Sequence, residues 1–275
     1  MFRAIETNKR VVESSNGLNW KLIPAPILGD PSNRELKSLF GVSTIQEVMK
    51  KFQIRLQTND LTGLQEHDYV DGLDLSGIDA PTFGNATVDW NDIQKNNRFE
   101  ITGINTYKDI DKNGEIVNVK DHIIFTFVND IAQGRMNSNN TNTGGYLSSG
   151  LKSWIDTTFT PGLEQRLGIE LYPIWKLHSK KGSYQWSEYK VWLLSEIEVF
   201  GNPSYGDETL NNSSSRMLNI SSKTKKWNGY NAWWWTQTAL SSHASAFIIL
   251  SNNGTTDGNA ATSVGGIVPA FCVSY

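Results

Sequence analysis

The chain has 275 residues, and Lys+Arg 25 nearly balance Asp+Glu 28 for a formal net charge of -3, which leaves no electrostatic footprint for nucleic acid or an anionic membrane surface. Mean hydropathy is -0.40 and no apolar run reaches about 18 residues, so the sequence contains no spanning helix. The single cysteine, Cys272, excludes an intramolecular disulfide framework and a cysteine-clustered zinc site.

Met1 to Arg10 mix charges with short apolar pieces and do not read as a Sec-type signal peptide. Pro24, Pro26 and Pro31 then punctuate an extended arm with no core of its own. The clearest helix follows, with Ser43 as N-cap, Gln46 as capping-box partner, and Ile45, Val48, Met49, Phe52 and Leu56 at helical spacing. Residues 1–78 together read as an attachment or oligomerisation region ahead of a ligand-binding domain at 79–275.

Within that domain, Arg98 to Ile104 and His122 to Val128 alternate as strands, and Asn113-Gly114 between them is a hairpin turn signal. Leu147, Leu151, Trp154, Ile155 and Phe159 form one helical stripe. Thr160-Pro161 reads as N-cap and first position of a second helix carrying Leu163 and Leu167, ended by Gly168. Strands resume at Glu170 to Leu177 and at Lys190 to Leu194. From Gly201 onward Asn, Ser, Thr and Gly dominate, broken by Trp233-Trp234-Trp235, Phe247 to Leu250 and Ile267 to Val273; long loops of this kind in a compact domain are usually functional.

Linear motifs for chemistry are sparse. Asp109 to Glu115 imitates a calcium loop, but its twelfth position is Lys120, and the hairpin reading is preferred. His67, His122, His178 and His243 form no metal-ligand spacing, and no nucleophile elbow, phosphate loop or dinucleotide fingerprint occurs. Glu196 and Glu198, two apart on an expected strand, would face one side as a glycosidase pair might; a structural role for both is the preferred reading. Lys223, Lys225 and Lys226 beside Trp227 read as a solvated turn, Asn137 to Gly145 as an ordered loop, and Cys272 as a small buried hydrophobe.

The closing residues carry a resemblance. Trp233-Trp-Trp-Thr-Gln-Thr238, Ala244-Ser-Ala-Phe247, Asn253-Gly254 and Val264-Gly-Gly-Ile-Val-Pro-Ala-Phe-Cys-Val273 occur in one order, with upstream pieces such as Asn142-Thr-Gly-Gly-Tyr146 and Trp192 to Gly201. This order resembles the signature of C-type-lectin-fold proteins of phages and bacteria, in the branch related to formylglycine-generating enzymes and to variable proteins of diversity-generating retroelements. It covers about Asp71 to Tyr275.

The resemblance implies an α+β fold in which short antiparallel sheets and two helices hold long ordered loops that face a ligand. It makes Trp234, Phe247, Pro269 and Phe271 scaffold, and Trp154 and Trp192 join them. Trp227 is expected near the ligand-facing surface. The ligand-facing candidates are Tyr230, Asn231, Trp233, Trp235, Gln237, Leu240, Ser242, His243, Thr255, Thr256, Asp257 and Asn259, polar positions around aromatic anchors as in a paratope. The oxidase activity of the branch uses a copper-binding cysteine pair, which a one-cysteine chain lacks.

The expected function is therefore a non-enzymatic receptor-binding protein of a phage tail or related particle, with no metal or cofactor. Its partners would be a host-surface protein or glycan and, through the N-terminal region, other virion proteins. A homo-oligomer, with a trimer favoured, would add avidity, and the protein would reside in the virion after assembly in the bacterial cytoplasm. The alternatives are a structural decoration or baseplate protein, and a glycan hydrolase using Glu196 and Glu198.

Overall fold

A computed structural model describes residues 2–5, 11–14, 21–22, 34–81, 96–180, 183–206 and 216–275. The chain divides into two compact units, Met1–Asn33 and Arg34–Tyr275. In the first, β1 (Phe2–Ile5), β2 (Val11–Ser14) and β3 (Lys21–Leu22) form an antiparallel sheet. The three prolines of the expected arm lie outside the described residues.

The second unit begins with α1 (Leu36–Phe40), α2 (Ile45–Gln57) and β4 (Tyr69–Leu73), followed by β5 (Asn97–Ile104), β6 (Ile110–Lys112), β7 (Glu115–Val117), β8 (Ile123–Phe127) and β9 (Ala132–Gly134). A helical stretch comprises α3 (Gly150–Trp154), a π-helical turn over Ile155–Phe159 and α4 (Thr160–Leu167). Then come β10 (Ile174–Ser179), β11 (Tyr184–Tyr189), β12 (Val191–Leu193), α5 (Glu196–Phe200), β13 (Lys225–Trp227), β14 (Tyr230–Ala232), β15 (Trp234–Ala239), β16 (Ala246–Leu250), β17 (Thr256–Ala260), β18 (Gly265–Ile267) and β19 (Pro269–Val273). The class is α+β, with small, mostly antiparallel sheets and few helices. No helix among the described residues is long and apolar enough to cross a membrane.

Two five-stranded sheets organise this unit, ordered β12-β19-β8-β5-β4 and β17-β16-β15-β18-β9. The first carries an aromatic cluster in which Phe99 lies opposite Phe127 and Phe125 opposite Phe271. Rings of Phe99, Phe125 and Phe271 sit 5.3 Å apart, and Phe52 of α2 meets Phe125 edge-on at 5.3 Å. Such pairs add to the stabilisation from area burial alone. The strands at 97–104 and 123–127 are buried on both faces rather than half-buried, because α2 covers one side and residues 218–221 approach the other.

Local chemistry explains where elements start and stop. Helix α2 is capped one residue later than expected. Thr44 Oγ1 accepts from the Glu47 N–H while Glu47 accepts from the Thr44 N–H at 2.9 Å, so the box is Thr44/Glu47 rather than Ser43/Gln46. Val48, Met49, Phe52 and Leu56 are buried in the same core as the sheets, so the structural division falls after Asn33 and not near residue 78. Asn113 and Gly114 both have positive φ, 56° and 93°, and close the β6–β7 hairpin as the dipeptide predicts.

Thr160 is not an N-cap. Its backbone is helical (φ -59°, ψ -51°) and the chain runs unbroken from α3 into α4 through the π turn. Pro161 has no N–H to donate, and a wider turn ahead of it accommodates that loss without ending the helix. Gly168, at φ 67°, does end it.

Candidate functional site

Strand β15 is buried along its whole length and leads, through Leu240 to Ser245, into β16 and the edge strand β17. An open cleft of about 500 Å³ lies over this turn and edge. Leu240, His243, Thr256, Asp257 and Asn259, all expected from sequence to face a ligand, line it together with Tyr205, Ser245 and Gly258. Asp257 and Asn259 are two apart on β17 and share a face. Asp257 Oδ1 accepts from the Gly258 N–H at 2.7 Å, and Asn259 Oδ1 accepts from the Ala260 N–H and the Ser263 hydroxyl. Asn142, buried, donates to the carbonyls of His243 and Ala246 at 2.7 Å each and so fixes the turn that carries His243. A side chain at Gly258 would meet the end of the Leu240 side chain, which would have to shift to admit it.

Sequence reading misses Tyr205. It is 61% exposed at the rim and comes from a segment distant in sequence, tied in by a Gly206–Leu240 bridge and by the Ser241 hydroxyl donating to its carbonyl at 2.9 Å. Glu196 holds this rim from below: its carboxylate accepts the N–H groups of Gly206 at 2.9 Å and of Tyr205 at 3.4 Å.

The other candidates divide. Ser242 is exposed beside the cleft and bonds His243 Nδ1 at 2.9 Å, while Thr255 is exposed in the turn before β17 and bonds Ser251 and Asn253. Tyr230, 81% exposed, and Asn231 lie on the β13–β14 hairpin, whose residues do not line the cleft. Trp233 is partly exposed, packed edge-on against Trp235 at 5.0 Å. Two candidates are corrected to scaffold. Trp235 is fully buried with Nε1 donating to the Gly134 carbonyl at 2.8 Å, and Gln237 is buried with Nε2 on Glu198 at 3.3 Å. Trp154, Trp192 and Trp234 are buried as expected, and Trp227 is partly exposed.

Glu196 and Glu198 are on helix α5 rather than a strand, and both are buried. Glu198 closes a capping box with Ser195, pairs with Lys176 Nζ at 2.5 Å, and accepts from Tyr107 and Trp192 at 2.6 and 3.0 Å. With its oxygens so occupied and Glu196 committed to the rim, the pair has the geometry of structural acids. The Ser195-Glu-Ile-Glu198 spacing is itself the capping signal.

Lys225 also departs from expectation: Lys223 and Lys226 are accessible, but Lys225 is fully buried. Burial pushes the Cys272 thiol well up, consistent with an inert core residue. No group of three His, Cys, Asp or Glu is placed to hold a metal among the described residues. A smaller cleft of about 290 Å³ beside the start of α2 has both its cations committed, Lys37 to the Asp71 carbonyl and Arg166 to the Ser76 carbonyl.

A family model described as Domain of unknown function (DUF6273) matches residues 119–275, more than half of the chain and the whole of the 240–260 turn and edge strand. No curated protein and no solved structure matches.

Proposed function

The chain belongs to the DUF6273 family, and for it we propose a non-enzymatic ligand-binding role centred on the cleft between Tyr205 and β17. The single observation that carries this reading is the convergence of Leu240, His243, Thr256, Asp257 and Asn259 on one open cleft beside an exposed tyrosine. A carboxylate, an amide and an imidazole around an aromatic rim suit hydrogen bonding to a polar ligand. The finer reading is a C-type-lectin-like domain acting as receptor-binding protein of a phage tail or related particle, carried in the virion as an oligomer. The resemblance of the closing residues supports it, as do the short sheets, the few helices and the open cleft over the 240–245 turn.

The test is adsorption of the purified protein to bacterial cells. The triple variant H243A/D257A/N259A is expected to keep the parent's circular dichroism spectrum and to lose at least tenfold in cell binding. Undiminished adsorption by that variant overturns the cleft as the binding face. A parent protein that binds no bacterial surface, while its particles assemble normally, favours a decoration or baseplate role.

A further inference from the structure

The most anomalous polar groups in the core are Asp130 and Lys225. Both are fully buried, and neither Asp130 carboxyl oxygen has a hydrogen-bond partner in the protein. Lys225 has one weak contact, Nζ to the Phe127 carbonyl at 3.4 Å, and lies 5.8 Å from the Trp234 ring centre. Their backbones run side by side: the Asp130 N–H donates to the Lys226 carbonyl at 3.3 Å, and the Lys226 N–H donates to Asn129 Oδ1 at 3.2 Å. The Asp130 carboxyl occupies the space where a side chain at Gly266 would stand, and Gly266 is the strand partner of Trp234. Lys225 thus lies beside Trp234 and Asp130 beside the strand partner of Trp234; each is within the field of the other's charge, with Glu100 acting on Lys225 as well, yet no ion pair joins Lys225 to Asp130.

A buried acid without a hydrogen-bond partner and a buried amine held by one long hydrogen bond are both costly in an apolar core. A covalent amide removes both charges at once and leaves a neutral group. Glu100, the other buried acid near Lys225, is already engaged by the Ser221 N–H at 2.8 Å and faces His67 at 3.7 Å, which leaves Asp130 as the acid without a partner.

We propose that Lys225 and Asp130 are joined by an intramolecular amide that forms inside the folded chain. The reaction requires the lysine stem to swing Nζ from the Phe127 carbonyl to Cγ of Asp130. The nitrogen lone pair attacks Cγ, the Nζ–Cγ bond forms and one Cγ–O bond breaks. The departing oxygen leaves as a single water, with its own proton and one from the amine. No oxidant or other co-reactant is needed. Burial pushes the Asp130 carboxyl up to about 8 and the Lys225 amine down to about 8, so the neutral acid and free amine that react coexist near neutral pH. In a chain with one cysteine, such a link is a brace indifferent to redox conditions.

The intact mass of the purified, denatured full chain decides the matter. The expected value is one water below the sequence mass, with a branched peptide joining the segment around Asp130 to that around Lys225 and no tryptic cleavage after Lys225. The branched peptide is required because Asp71-Gly72 and Asp257-Gly258 can also lose water as cyclic imides. The variants D130A and K225M are expected to show the full sequence mass at these segments. Recovery of unlinked Asp130 and Lys225 peptides from folded parent protein overturns the proposal, whether or not either variant folds.

Discussion

Gly265 and Gly266 show how much a single position can demand. A side chain at Gly265 would overlap the Trp233 ring, and one at Gly266 would overlap the Asp130 carboxyl. G266A is expected to lower stability by about 1–3 kcal/mol through overpacking, read as a shift of the urea midpoint at unchanged slope. His178 gives a pH-dependent counterpart. Burial, then Lys176 and Lys152, push its pKa down to about 3, whereas the unfolded chain takes up that proton near 6.5. Between those values only the unfolded state binds the proton, so the stability due to a neutral buried His178 is full above pH 6.5 and is lost as pH falls towards 3. The parent's advantage over H178Q should therefore shrink by up to about 1.4 kcal/mol per pH unit below 6.5; a difference constant from pH 7.5 to 4.5 contradicts the assignment. The loss of Lys176 should be costlier, about 3–5 kcal/mol for K176M in urea unfolding, because Glu198 stays buried without its cation. At this scale the sequence distinguishes side chains poorly. Trp233 and Trp235 stand two apart with the same chemistry, and only the burial of β15 separates a partly exposed ring from a core one. Gln237 reads as a surface residue because its partner, Glu198, lies 39 positions away.

Elements were more readable, and their failures share a cause. The α2 helix, the Asn113-Gly114 hairpin and the β8 and β19 strands announce themselves through periodicity and turn chemistry, which are local. The cap position is ambiguous in sequence because Ser43-Thr44 offers two hydroxyls, both within reach of the Glu47 carboxylate, and the choice depends on which one accepts the Glu47 N–H. T44A should cost about 1 kcal/mol by thermal or urea unfolding, and S43A clearly less. Strand β17, Thr-Asp-Gly-Asn-Ala, has the composition of a loop, yet it pairs with β16 over its full length. An edge strand with an open face needs no apolar residues, so composition cannot mark it. The glutamates of α5 read as strand residues for the opposite reason: an apolar, strand-like run precedes them, and the capping box that starts a helix there spans only four residues.

Across the molecule, the division after Asn33 carries a clear expectation for truncation. A chain beginning at Arg34 should unfold cooperatively, with a midpoint close to the parent's. One beginning at Asp79 loses α2 and β4, uncovers Phe125 and should fail to give a cooperative transition by circular dichroism. The family match starting at residue 119 likewise excludes β5, which neighbours β8 in the sheet, and α2, which packs on it. The α+β class is readable in the sequence; the extent of the core is not, because α2 packs both on β8, where Phe52 meets Phe125, and on β19 near the far end of the sequence. That span also sets a clock. Strand β19 is interior to its sheet, between β12 and β8, and contacts α2, so the helix waits for residues 269–273 before the surface it packs on is finished. At roughly 5–20 residues per second, the ribosome leaves that apolar helix face uncovered for about 10–40 s, long enough for chaperones to meet it before the fold can close.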